Sequence, residues 1–117
     1  MDERFARTRL LVGDTGLERL KNATVVLFGL GGVGSYVAEA IARAGVGRIV
    51  LIDSDRVELS NINRQLVALE STLGMPKVDV ARARILDINP DAEVETHETF
   101  VTPENAPGFV NDPHAFY

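Results

Sequence analysis

Two cations, two carboxylates and a run of glycines hold most of the chemistry this sequence can offer. Gly29, Gly31, Gly32 and Gly34 follow an apolar run and open a segment of helical spacing, so free backbone N–H groups and the positive end of a helix dipole face one point. That arrangement suits a phosphate. Asp53 stands at the end of the next apolar run, where a carboxylate accepts from ribose hydroxyls. Asn61, Asn63, Arg64 and Gln65 follow within a polar stretch, and a guanidinium there can hold phosphate oxygens through two hydrogen bonds at once. Lys77 comes after Gly74-Met75-Pro76 at the start of a helix, where its charge opposes the dipole and would serve a triphosphate better than the helix.

Each of these residues also has a plainer reading. A glycine run can be only a tight turn. Arg64 can be a solvated surface charge among turn-forming amides, and the dipole cost at Lys77 is small enough to be neutral. Asp55 caps a turn or helps to position a metal. Arg4, Arg7 and Arg9 read as solvated helix charges. His97 and His114 have no companion at ligand spacing. The glycine motif by itself does not distinguish a dinucleotide from ATP.

The elements that must position these groups are legible as α/β. Thr24 to Phe28 is a β-branched run expected as a buried strand, and Arg48 to Ile52 is a second. Between them, Val33, Val37, Ala40, Ile41 and Ala44 predict one apolar helix face, closed by Gly45 and Gly47. Residues 1 to 12 predict a short helix, and Gly13 to Gly16 a break after which Asp14 or Thr15 caps a helix through Leu20. Pro76 suits the first position of a further helix with Val78, Ala81, Ile85 and Ile88 inward, ended by Asn89-Pro90. Ala92 to Thr96 reads as a third strand, Thr102-Pro103-Glu104 as the start of a helix reaching about Val110, and Ala115 to Tyr117 as the opening of a fourth strand. The fold expected is a Rossmann-like parallel sheet with flanking helices, the N-terminal half of a doubly wound domain. It divides into a helical arm over 1–22 and the Rossmann-like βαβ half over 23–117, a single nucleotide-binding unit.

At 117 residues one domain is the upper bound, and the longest apolar run is far too short to span a bilayer. The charged N-terminus lacks the apolar stretch of a signal peptide, and there is no cysteine for a disulfide, a thiolate metal site or a thiol nucleophile. A cytoplasmic location without membrane association is expected. The net charge of −5 argues against a broad non-specific nucleic-acid surface.

Taken together and in order, Gly29-x-Gly31-Gly32-Val33-Gly34, Asp53-x-Asp55, Ser60-Asn61-x-Asn63-Arg64-Gln65 and Gly74-x-Pro76-Lys77 resemble the adenylating domains related to ubiquitin-activating enzyme. That family includes bacterial activators of sulfur-carrier proteins. Within it, Gly31 to Ala40, Asp87-Ile88-Asn89-Pro90 and Phe100 to Asn105 look most like the tRNA threonylcarbamoyladenosine dehydratases. The resemblance implies ATP as cofactor, with Gly31 and Gly32 facing its phosphates, Asp53 on the ribose, and Asn61, Arg64 and Lys77 holding the triphosphate. It implies that Arg7, in Arg4-Phe5-Ala6-Arg7, reaches the neighbouring subunit's site, and hence a homodimer. The substrate implied is the modified nucleoside of tRNA, whose carboxylate is adenylated and then closes a ring with net loss of water. The alternative is the C-terminus of a ubiquitin-like sulfur carrier. The resemblance also implies Mg2+, with its main aspartate beyond Tyr117, so this chain is expected to be the N-terminal half of a longer protein and inactive alone.

Two readings of other classes compete with adenylation. A nicotinamide-dependent oxidoreductase could use the same βαβ unit, but has no need for Asn61, Arg64 and Lys77 to converge on a third phosphate. A non-catalytic partner subunit would keep the fold without retaining Arg7, Arg64 and Lys77.

Overall fold

The computed structural model describes residues 3–117; Met1 and Asp2, which begin the expected first helix, lie outside the described residues. A single turn at Glu3–Phe5 enters helix α1 (Ala6–Asn22), which kinks at Gly13 where φ is 71°. The break expected there is present: the backbone at Gly13 is not helical and separates two helical pieces of α1. The Asp14 carboxylate lies 2.7 Å from the Arg9 guanidinium across the kink.

Strands β1 (Thr24–Phe28), β2 (Arg48–Ile52) and β3 (Glu93–His97) form a parallel sheet in the order β1-β2-β3. Thr24 is level with Arg48 and Glu93, and Phe28 with Ile52 and His97. Parallel strands need a crossover, and helices α2 (Gly34–Ala44) and α3 (Lys77–Ile88) supply it. Alternation along β2 divides the interior. Ile49 and Leu51 face the main core with Leu30, Ala38, Ala42, Val78, Ala81 and Ile85. Val50 and Ile52 turn the other way, to Val26, Val101, Phe109 and Ala115. Fully burying a side chain such as Ile49, Leu51 or Ile85 contributes about 1.5–3 kcal/mol.

The face that α2 buries differs from the expected one. Ser35, Ala38 and Ala42 point inward, whereas Val33 and Ala40 are exposed and Ile41 packs at the margin of the core. Small side chains let this helix lie close to the sheet, so the larger apolar residues fall to its flanks. Gly45 ends it in the left-handed conformation. In α3, Val78, Ala81 and Ile85 are buried as expected while Ile88 is half-buried, and Pro76 caps the helix rather than occupying its first position. The third strand is shifted by one residue from the expectation.

The helix expected from Thr102 is only α4 (Ala106–Phe109). Ahead of it, the Thr102 N–H donates to Asn105 Oδ1 (2.8 Å) and the Asn105 N–H to Thr102 Oγ1 (3.3 Å), which closes a turn instead. At the free edge of β1, Phe116 pairs in parallel with Val25 through bonds of 2.7 and 2.9 Å. The expected fourth strand opens there.

Candidate functional site

The glycine segment leaves the carboxyl end of β1. Gly29 has φ 95°, a conformation that side chains resist, and its N–H donates to Ile52 O at 2.8 Å. Gly34 is fixed by crowding: a Cβ there would stand 2.0 Å from Gly29 O. The turn is therefore as tight as the motif suggested, and it is also tied to the acid at the end of β2. Asp53 Oδ2 accepts from the Leu30 N–H and Oδ1 from the Asp55 N–H, each at 2.7 Å. Both carboxylate oxygens are thus oriented by backbone donors, each with lone pairs left to accept a hydroxyl.

Lys77 is distant in sequence but is delivered to Asp55 by a short antiparallel pairing. Arg56 bridges Pro76, the Val57 N–H donates to Met75 O (2.9 Å), and the Lys77 N–H donates to Asp55 O (3.0 Å). The Lys77 ammonium lies 3.8 Å from Asp55 Oδ2. Its side chain is only 5% exposed, while that of its partner is 71% exposed. The ammonium has three donors and one long contact to a solvated carboxylate, so an arriving anion would find donors to accept from.

The polar stretch between Asp55 and Gly74 folds back on the glycine segment. The Arg64 stem lies over Gly32, with its Cγ 3.6 Å from where a glycine Cβ would stand, and Gln65 Nε2 lies 3.9 Å from the corresponding point at Gly31. The guanidinium donates to Ser60 O (3.1 Å) and Asn63 Oδ1 (2.9 Å), and it remains exposed. Asn61 is buried, and its Oδ1 accepts from the Glu58 N–H at 2.8 Å, which leaves its amide N–H groups to donate elsewhere. Gln65 is buried too, and its Oε1 has no donor among the described residues.

Gly29, Asp53 and Asp55 line a cleft of about 240 Å³ with Phe28, Phe100 and Val101. The aromatic and apolar lining was not foreseen. Phe100 opens the Phe100–Asn105 motif after β3, but no role in the site was assigned to it, and the topology carries it there. A larger cavity of about 390 Å³ lies at the opposite end of the sheet, against Phe5, Leu17, Gly45 and Asn89. Asp14, Glu18 and Asp91 there, against the single cation Lys21, suit no phosphate.

The structure thus brings Gly29, Gly31, Gly32, Gly34, Asp53, Asp55, Asn61, Arg64 and Lys77 to one end of the sheet. It does not bring Arg7 there. Phe5, two residues before Arg7, packs on Gly45 at the amino end of β2, and Arg7 itself is exposed. Among the described residues no cluster of three His, Cys, Asp or Glu could hold a metal ion, and no helix is long and apolar enough to cross a membrane.

Known proteins share this arrangement. The chain is 57% identical over 104 residues to the tRNA threonylcarbamoyladenosine dehydratase of Bacillus subtilis, covering 89% of this chain and 41% of that protein. It is 42% identical over 106 residues to the sulfur carrier protein adenylyltransferase of Thermus thermophilus, covering 89% of this chain and 39% of that one. The crystal structure of the Escherichia coli tRNA N6-threonylcarbamoyladenosine dehydratase in complex with ATP superposes with a TM-score of 0.93 at 41% identity, over 96% of this chain and 46% of that one. The chain therefore spans less than half the length of the proteins it matches. Residues 5–115 match the ThiF family, and the chain belongs to that family.

Proposed function

We propose that this chain is the nucleotide-binding part of an enzyme that uses ATP to adenylate a carboxylate, and that the carboxylate is that of threonylcarbamoyladenosine in tRNA. The observation that carries the reading is Lys77, whose side chain is almost wholly covered while its ammonium makes one long contact, 3.8 Å, to the exposed Asp55. The cleft between Phe28, Asp53 and Phe100 suits an adenosine, with the ribose on Asp53 and the base against apolar lining. The phosphates then extend over Gly31 and Gly32, toward Asn61, Arg64 and Lys77.

ATP supplies an activated adenylyl group to a carboxylate oxygen, with pyrophosphate as the leaving group. Arg64 and Lys77 hold the triphosphate, and they offset the negative charge that grows on the departing oxygens. Asn61, its carbonyl already engaged by Glu58, donates from its amide. Arg7 acts from the neighbouring subunit of a homodimer, which accounts for its distance from the site within one chain. Mg2+ enters with ATP. Asp55, beside Lys77 and largely exposed, is the carboxylate here that could help to position the ion. Arm and sheet work as one unit, and the protein is cytoplasmic.

A second substrate is favoured by a specific observation: the 42% identity to a sulfur carrier protein adenylyltransferase. One assay on the natural-length protein separates the two. Incubated with ATP, magnesium and tRNA bearing threonylcarbamoyladenosine, it is expected to produce an ATP-dependent loss of water from that nucleoside, read by mass spectrometry after digestion. An unchanged nucleoside from folded, ATP-binding protein would move the reading to a protein carboxylate.

A further inference from the structure

The glycine segment and the arginine-bearing loop come from different parts of the chain, and their relative position decides whether Arg64 meets a phosphate. Three consecutive residues of the loop dock on the other segment: Arg64 over Gly32, Gln65 beside Gly31, and Leu66 at Ser35. The first two are contacts of side chains with open glycine surface, which can slide. The third is a directed bond, in which the Leu66 N–H donates to Ser35 Oγ at 3.2 Å. Ser35 sits in the first turn of α2 and is 3% exposed, so no water competes for its oxygen. It is the one hydrogen bond among the described residues that joins α2 to the polar loop. Beyond it, Val67 and Ala68 enter the main core, and before it Gln65 is buried while Arg64 is exposed, so the bond lies close to the residue whose side chain leaves the protein surface. The guanidinium's own bonds run to Ser60 and Asn63 within the same loop and fix nothing relative to the glycines.

We infer that Ser35 is a positioning residue for Arg64: its hydroxyl sets the register of the arginine loop on the phosphate turn without touching the nucleotide. The inference rests on the proposed ATP reading, and a serine at this point would otherwise be no more than a small residue in a close helix–sheet contact. The two roles separate in a double-mutant cycle. ATP affinity is measured by titration calorimetry on the natural-length protein and on its Ser35→Ala, Arg64→Ala and doubly substituted forms, with a melting curve for each. Ser35→Ala leaves a partly buried N–H without its acceptor and releases the loop, so affinity is expected to fall on the order of tenfold. In the Arg64→Ala background the same change is expected to cost less than about twofold, since nothing remains to be positioned. An equal loss in both backgrounds, or no loss in the first, would overturn the inference. An Arg64→Ala form that binds ATP normally would instead overturn the functional reading, and this one with it. Should Ser35→Ala fail to fold, the cycle is run with Ser35→Cys, whose thiol has nearly the same size and is a weak acceptor.

Discussion

Two cations on α3 have opposite fates. Arg84 is 42% exposed, yet it is fully engaged: its Nε and one terminal nitrogen reach the Glu39 carboxylate of α2 at 2.6 and 2.9 Å, and Arg43 meets the same carboxylate at 3.1 Å. Lys77, at the head of the same helix, is buried and has one contact at 3.8 Å. Burial usually demands better pairing, not worse. The exposed cation completes a clasp between two helices, and the covered one is left with a single long contact, as the proposed phosphate role requires. Ion-pair geometry therefore separates architecture from chemistry here more sharply than burial does.

Substitution is expected to split the two most widely at Lys77. Lys77→Ala should lower ATP–pyrophosphate exchange by about two to three orders of magnitude, the scale of losing one transition-state donor, with little change in melting temperature. Arg84→Ala should leave exchange intact. Near-normal exchange in Lys77→Ala would reduce that residue to a core filler. The Arg7 reading sharpens the contrast next. Subunits carrying Arg7→Ala, mixed with subunits carrying Lys77→Ala, should regain some of the lost exchange, because on the proposed homodimer each hybrid would hold one complete site. No recovery at any mixing ratio would confine Arg7 to its own chain.

The smallest effect is at the clasp. Glu39→Ala should destabilise the protein by about 1 kcal/mol, the upper part of the range for partly exposed pairs, measured by denaturant titration. The hydrogen bond from Arg84 holds the Glu39 carboxyl far below its ordinary 4.5, at about 2. Because the native group titrates below the unfolded one, the stabilisation is present above pH 4.5 and fades as pH falls toward 2. The difference between native protein and Glu39→Ala should shrink over that interval. A constant difference would mean that Glu39 contributes packing rather than charge.

Much of this was legible in the sequence. Thr24–Phe28 and Arg48–Ile52 were read to the residue, since short β-branched runs bounded by glycine or charge leave few alternatives. The glycine turn and Asp53 were legible for the same local reason. The burial of α2 was not: apolar size pointed to Val33 and Ile41, whereas closeness to the sheet selected Ser35, Ala38 and Ala42. Nor could spacing alone show that Asp55 meets Lys77, because a strand-like pairing around Val57 and Met75 brings them together. Phe100 entered the cleft wholly through topology. Local chemistry is written in the chain, but the meeting of distant segments is a property of the sheet that joins them.

The outer edge of that sheet has a consequence for solubility. Among the described residues β3 has no strand on its far side, and an unpaired edge invites other chains to add to it. Its sequence is Glu93-Val94-Glu95-Thr96-His97, which sets carboxylates at alternate positions, with Glu95 held ionised by His97. A second copy docking antiparallel about Glu95 would set two Glu95 carboxylates opposite each other, and like charges so placed are destabilising. The strand that completes the described fold is thus also the one that discourages its extension into aggregates.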